Sequence, residues 1–168
     1  TGVIEPLLLR ILPEVAPAAE AANLLKNRVT TLDRSVLDQP RQALASATRE
    51  LLRMSEIIEL MLRPVMELYE TGDKEKVKEL RRLDADVNKA HSGIKLYLVE
   101  LNRGSMTSDE AQRAMDLANF SINLEQVGDI ISKNLLKLAA ERRERRLTFS
   151  DEGWQELTDL HAQVMANM

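Results

Sequence analysis

The acidic side chains of this chain are the groups whose spacing could serve chemistry. Glu125 and Asp129 are four residues apart, so a helix would place both carboxylates on one face, with about 6 Å between their Cβ atoms. Gly128 lies between them and, having no side chain, would let a neighbouring helix or a ligand come close. The pattern leaves two interpretations open, a binding site or an ordinary solvated acidic pair.

A second pair with the same spacing, Asp84 and Asn88, lies earlier in the chain. Asp84 falls on the apolar face of its predicted helix, where an unpaired carboxylate would be costly. It therefore needs a partner. The candidates are a bound cation, a water cluster, exposure at the end of the bundle, or a basic residue of the neighbouring helix, Arg49 or Arg53.

No arrangement of residues indicates catalysis. The chain has no cysteine, which excludes a thiol nucleophile and thiolate metal sites, and it has no glycine-rich phosphate loop or His-Glu-x-x-His motif. Neither of its two histidines, His91 and His161, follows a Glu by three residues, as the ligands of a di-iron bundle do. His91 is predicted to be a hydrogen-bonded core histidine, and the chain is predicted not to be an enzyme.

Long amphipathic helices are the elements that would position these side chains. Apolar residues recur in alternating steps of three and four, which keeps them on one face of a helix. We call each such row of residues a seam. The first seam predicts a helix over about 40–71 that ends at Gly72. Its members are Leu44, Ala47, Leu51, Met54, Ile58, Met61, Val65 and Leu68. The second predicts a helix over about 74–103, capped by Asp73, with the members Val77, Leu80, Asp84, Val87, His91, Ile94, Leu98 and Leu101.

The third long helix is predicted to begin after Thr107, which forms a capping box with Glu110. Its seam consists of Ala114, Leu117, Ser121, Leu124, Gly128, Ile131, Leu135 and Leu138. Ser150 is predicted to cap a short helix over about 151–166, with Phe149 and Trp154 spaced as a hydrophobic staple.

These elements predict an all-α fold, an antiparallel three-helix bundle with an N-terminal helical extension and a short C-terminal helix. Short turns between long helices make neighbours antiparallel. The predicted divisions are an extension over 1–39, in which 18–29 can be helical, the bundle over 40–147 and a capping helix over 148–168. Pro13 and Pro17 prevent one long helix from running through the extension.

Composition narrows the classes of partner. The 168 residues carry a net charge of −4 and only 3% aromatic residues, which argues against a nucleic-acid-binding surface. No stretch approaches the ~18 uninterrupted apolar residues of a membrane-spanning helix.

Four stretches, taken in order and spacing, resemble a known family. They are Leu32-Asp33 with Leu37, Pro40 and Ala43-Leu44; Arg49-Glu50-Leu51 with Arg53-Met54; Asp84 through Asn88 with His91, Ile94-Lys95 and Tyr97-Leu98; and Asn123-Leu124-Glu125 with Gly128-Asp129-Ile130. The chain resembles the PhoU-like helical domain over roughly 32–138, in the form fused behind bacterial sodium-dependent phosphate cotransporters.

The resemblance implies a metal site. PhoU-like proteins carry an acidic E(D)xxxD motif that can hold iron or zinc ions, and Glu125 to Asp129 matches this motif in full. Asp84 to Asn88 matches it in part, because Asn88 stands where the family usually has Asp, and an amide oxygen is a weaker, neutral ligand. The implied metal ligands are therefore Glu125, Asp129, Asp84 and Asn88, with iron or zinc as the cofactor.

The resemblance also implies a function without catalysis. The expected function is that of a cytoplasmic regulatory domain of a sodium-dependent phosphate cotransporter, at the cytoplasmic face of the inner membrane. The expected partners are the membrane domain of its own transporter, phosphate-signalling proteins and further copies of the chain, and residues 1–12 would be juxtamembrane. The alternatives are a free-standing PhoU-like regulator, which the single bundle disfavours, and a purely structural helical oligomer.

Overall fold

The structure is a computed structural model that describes residues 30–168. Its helices are α1 (Pro40–Leu62), α2 (Val65–Thr71), α3 (Lys74–Leu101), α4 (Ser108–Asp129), α5 (Leu136–Glu144) and α6 (Asp151–Ala166). A 3₁₀ turn at Arg34–Val36 precedes α1, and a π-helical segment at Ile130–Leu135 joins α4 to α5. No strand occurs in this range, so the predicted all-α class is confirmed. The predicted helix over 18–29 and the juxtamembrane segment 1–12 lie outside the described residues.

Helices α1, α3 and α4 pack against one another in pairs and form the predicted three-helix bundle. All eight members of the first apolar seam, which runs from Leu44 to Leu68, are buried. The buried residues of α3, among them Leu80, Val87 and Ile94, face this seam from the neighbouring helix. Burial of these apolar faces is the main favourable contribution to folding.

The first long helix is broken near its end, where one helix was predicted. Helix α1 stops at Leu62 and α2 begins at Val65, with Arg63 and Pro64 between them. Proline has no backbone N–H, so the hydrogen bond to the carbonyl four residues earlier is lost and the ring crowds that turn. Gly72 then ends α2 in the left-handed conformation, with φ 57°, as predicted.

The predicted helix caps are confirmed. The Asp73 side chain accepts hydrogen bonds from the first turn of α3, and Thr107 and Glu110 bond each other reciprocally at the start of α4. At the start of α6, Ser150 accepts from the backbone N–H of Gly153. The rings of Phe149 and Trp154 lie 5.7 Å apart across this cap, as a hydrophobic staple requires.

The π-helical segment changes which residues of the third helix face the core. The periodicity predicts Leu135 and Leu138 on the seam, but Leu138 is 51% exposed, and Leu136 and Ala139 are buried in its place. A π turn holds more residues than an α turn, so every later position moves one residue along the seam. The predicted seam is therefore wrong at Leu138, whereas Leu135 is half-buried and packs against the core.

A buried ion pair fastens the segment before α1 to the bundle. The Glu50 carboxylate accepts from Arg53 Nη2 at 2.6 Å with one oxygen and from the backbone N–H of Thr31 at 2.6 Å with the other. On the neighbouring helix, the Tyr97 hydroxyl donates to the Asp33 carbonyl at 2.7 Å. Glu50 is 1% exposed and Arg53 7%, so this polar cluster is enclosed and each of its charges depends on the other.

We predict that Glu50→Ala lowers the free energy of unfolding by about 3–5 kcal/mol, because it leaves the Arg53 guanidinium buried without its partner. Urea unfolding followed by circular dichroism measures the change. Glu59→Ala is the matched control, since Glu59 pairs with Arg63 just beyond the end of α1, where both side chains are partly exposed, and its removal should cost no more than about 0.5 kcal/mol. Equal losses in the two variants would contradict the structural role of Glu50.

Stability should also depend on pH through Glu50. Burial by itself would raise the pKa of Glu50, but the hydrogen bonds from Arg53 and Thr31 outweigh it and lower the pKa below its ordinary value. The stabilisation is therefore complete above the unfolded pKa of about 4.3 and is lost as the pH falls through the lowered folded value. We expect the loss of unfolding free energy between neutral and acidic pH to be smaller in Glu50→Gln than in the parent. An identical loss in both proteins would exclude this linkage.

Candidate functional site

The four predicted site residues lie on α3 and α4, which pack against each other in the bundle. Asp84 and Asn88 are on α3, and Glu125 and Asp129 are on α4; all four are half-buried. A Cβ atom built on Gly128 would lie 3.6 Å from Asp84 Oδ1. Asp84 therefore lies directly against the end of α4, and the expectation that Gly128 admits a neighbouring helix is confirmed.

One of the candidate partners of Asp84, a basic residue of the neighbouring helix, is wrong. Neither Arg49 nor Arg53 pairs with it, because Arg53 is held by Glu50 one turn away on its own helix. Asp84 Oδ2 is 3.5 Å from Asn88 Nδ2, a long contact for a hydrogen bond. Asp84 Oδ1 is enclosed and has no hydrogen-bond partner within residues 30–168.

Lys133 is the residue of this site that sequence reasoning missed. Its Nζ lies 2.6 Å from Asp129 Oδ1. The hydrogen bond to Asp129 raises the pKa of Lys133 above its ordinary value, and the negative charges of Asp84 and Glu125 add to the effect. The sequence does indicate this pair, since an Asp and a Lys four residues apart on a helix form an ion pair.

The donor set does not amount to a metal centre. Across the described part of the chain, no three carboxylate or histidine side chains converge as ligands of one ion, whereas zinc takes four ligands and harder cations take six or more. The Lys133 ammonium already neutralises Asp129. Metal binding at Glu125, Asp129, Asp84 and Asn88 stays a prediction that these contacts do not favour.

Both histidines have structural partners. His91 Nδ1 lies 3.1 Å from the hydroxyl oxygen of Ser121, which is 1% exposed and donates to the Ala118 carbonyl. The predicted hydrogen bond of His91 is confirmed, but its side chain is half-buried and not enclosed in the core. His161 Nε2 lies 3.0 Å from the Leu62 carbonyl at the end of α1, so His161 ties α6 to the bundle.

An apolar cleft is the other prominent surface feature. It has a volume of about 610 Å³ and lies between α2, α5 and α6. Exposed apolar side chains line it, among them Leu138 at 51% and Leu160 at 58% exposure. Arg142 and Arg145 lie at its edge. Helix α6 itself buries no residue completely.

Comparison with known proteins places the chain in a family. Residues 51–137 match the PhoU domain. The chain belongs to the PhoU family. The resemblance predicted from sequence is thus confirmed, and the helical bundle is the PhoU domain of this chain.

The relatives of this PhoU domain include longer proteins. It is 36% identical to the "Putative inorganic phosphate export protein YjbB" of Salmonella typhimurium and 35% identical to the protein of that name from Escherichia coli strain K12. Both alignments cover 82% of this chain and 25% of the relative, so the chain spans about a quarter of the length of these relatives. No solved structure matches the chain at a significant level.

Within residues 30–168, no helix of the PhoU domain combines the length and the apolar character that a membrane crossing requires.

The metal prediction can be tested by removing the competing ammonium group. If the four residues hold zinc, Lys133→Met should raise zinc affinity about tenfold, since a positive charge next to the ion is removed, and Asp129→Ala should abolish binding. Zinc titration and the metal content of the purified protein measure both effects. Lys137→Met is the matched control, because Lys137 pairs with Glu141 one turn away in solvent. An absence of zinc from both the parent and the Lys133→Met variant would remove the metal prediction.

Proposed function

We propose that this chain is the cytoplasmic regulatory domain of a sodium-dependent phosphate cotransporter, acting in phosphate transport and homeostasis through protein contacts rather than catalysis. The observation that carries the proposal is its membership in the PhoU family, joined to relatives whose names specify phosphate export. The match covers a quarter of their length, which is the size relation of a domain to a larger transporter.

The absence of a catalytic arrangement in the described residues supports a regulatory role. The two histidines are engaged in structural hydrogen bonds. The Ser121 hydroxyl, which contacts His91, is buried and donates to the Ala118 carbonyl, so it is not placed as a nucleophile. The domain instead has an exposed surface that a partner can contact, the apolar cleft beside α6. Exposed apolar patches of this kind mark sites of contact with proteins or membranes.

We propose that the apolar cleft contacts the membrane domain of the same transporter, at the cytoplasmic face of the inner membrane. Leu160 projects from α6 into this cleft and is 58% exposed, so a partner surface can cover it. Covering α6 would also stabilise the helix that is least buried in the domain. Phosphate-signalling proteins and a second copy of the chain are the other candidate partners for the same surface.

We predict that Leu160→Glu in the whole transporter polypeptide changes the rate of phosphate transport about fivefold, the lower end of a typical coupling between two sites. Transport of labelled phosphate by cells that express the variant measures this. Leu52→Glu is the matched control, because Leu52 is equally exposed, at 60%, but lies on α1 away from the cleft. Both leucines face solvent, so both variants should fold.

The outcome separates the proposed role from its alternatives. Transport that is unchanged by Leu160→Glu would contradict regulation through the cleft. If that substitution instead converted an oligomer to a monomer in light scattering, with transport unchanged, the cleft would be the interface of a structural oligomer.

A further inference from the structure

A basic groove runs between α3 on one side and the π-helical segment with α5 on the other. Its cationic lining residues are Lys74, Lys78, Arg81, Lys133, Lys137 and Arg143, against the acidic pair Asp84 and Glu144. This concentration of positive charge stands out in a chain with a net charge of −4. Lys74, Lys78 and Arg81 follow each other in steps of four and three, which places them on one face of α3.

The three cations on α3 are not used to hold the fold together. Within the described part of the chain, none of Lys74, Lys78 and Arg81 forms an ion pair, whereas Lys133 and Lys137 pair with carboxylates on their own helical segment. Unpaired cations along one wall of a groove attract an anionic ligand. They also disfavour a metal ion at the same place.

Two enclosed polar atoms lie at the floor of this groove. Ser132 is 8% exposed, and its hydroxyl has no hydrogen-bond partner among residues 30–168; the same holds for Asp84 Oδ1. Both residues line the groove. An enclosed polar group without a partner costs free energy, so this pair is suited to a ligand that can bond both.

The hydroxyl of Ser132 differs from other helical hydroxyls of the domain. Four of them donate to the carbonyl four residues earlier, namely those of Thr48, Ser55, Thr71 and Thr158. Ser132 lies in the π-helical segment, where backbone bonds run to the fifth residue and the local geometry is altered. Its hydroxyl is thereby left available to the groove.

The combination of groups defines the chemistry of the ligand. The cations require an anion. The Asp84 carboxylate accepts hydrogen bonds and donates none, so the anion must carry a proton of its own, and Ser132 can donate to one of its oxygens. Inorganic phosphate at neutral pH carries such a proton, whereas sulfate and the phosphodiester of a phospholipid headgroup do not.

We propose that the floor of the basic groove binds inorganic phosphate, with Asp84 accepting the phosphate O–H, Ser132 donating to a phosphate oxygen, and Arg81, together with the other unpaired cations of α3, neutralising its charge. The proposal deepens the proposed function and rests on it for the choice of phosphate as the anion that the domain meets. The domain would then sense the ion whose transport it regulates.

Isothermal titration of the 168-residue chain with sodium phosphate and with sodium sulfate, at neutral pH and low ionic strength, tests the site. We expect phosphate to bind in the millimolar range and sulfate about tenfold more weakly, because sulfate leaves the Asp84 carboxylate without a donor. Ser132→Ala and Arg81→Gln should each weaken phosphate binding about tenfold. Arg82→Gln is the matched control, since Arg82 is the next residue, is exposed and does not line the groove.

Two outcomes would overturn the site. Equal affinity for phosphate and sulfate would show a nonspecific basic surface, and the absence of heat from phosphate at millimolar concentration would show no site. Asp84→Asn should bring the two affinities together; a preference for phosphate that survives in this variant would contradict the role of Asp84. Circular dichroism confirms that each variant is folded.

A further experiment distinguishes binding of free phosphate from binding of lipid headgroups. Cosedimentation with phosphatidylglycerol vesicles should not depend on Arg81 if the site selects a protonated anion, and loss of vesicle binding in Arg81→Gln would assign the groove to a membrane surface instead. The proposed regulatory role is tested separately, through Leu160 and transport. A failure of phosphate binding would therefore leave that role standing, and unchanged transport would leave the phosphate site standing.

Discussion

The close approach of α3 and α4 at Gly128 is the contact on which the candidate site depends. A Cβ atom at this position would lie 3.3 Å from Val87 Cγ1 and 3.6 Å from Asp84 Oδ1, so even a methyl group would force the Val87 side chain to shift. Gly128 is not needed for an unusual backbone conformation, since it lies within regular helix. Its contribution is space, and that space brings Asp84 to the beginning of the π-helical segment and encloses it there.

The two ends of the bundle are held together by different physical means. At one end, the enclosed Glu50–Arg53 pair and the Tyr97 hydroxyl fix the residues that lead into α1. At the other end, Arg142 and Arg143 donate to backbone carbonyls of α2, and α6 rests on aromatic contacts without a fully buried residue. Stability within a domain follows the density of buried contacts, so the end that carries the apolar cleft is the more adaptable one.

The bundle was predictable from sequence because its signals are local and repeated. Eight apolar residues in steps of three and four specify the buried face of α1 and α2, and cap residues such as Asp73 and Thr107 mark the helix starts. Periodicity fails where the backbone changes its winding, which is why Leu138 is exposed instead of buried. The helix propensities of the residues do not predict a π turn. Its unfavourable backbone geometry is offset by packing between residues that are distant in sequence.

The candidate site was predictable only in part, for a related reason. Spacing along one helix predicts that Glu125 lies beside Asp129. It predicts equally that Asp129 lies beside Lys133, and these two residues form an ion pair. The partner of a residue on another helix depends on how the two helices are rotated. Spacing therefore left Arg53 as one candidate partner of Asp84, although Arg53 pairs with Glu50. The Ser132 hydroxyl lacks a partner because it lies in the π-helical segment. Since the sequence pattern does not predict that segment, it does not predict the role of Ser132 either.

The π-helical segment also sets the orientation of everything beyond it in the third helix. Deletion of one residue within Ile130–Leu135 would restore regular α-helix and leave Leu136 and Ala139 on the core face. If all six residues wound as regular α-helix instead, everything beyond them would rotate by about 100° relative to α4. Leu138 would then turn towards the core in place of Ala139, and Lys137 would swing away from α3. The single extra residue thus determines which side chains of α5 face the core and which line the groove.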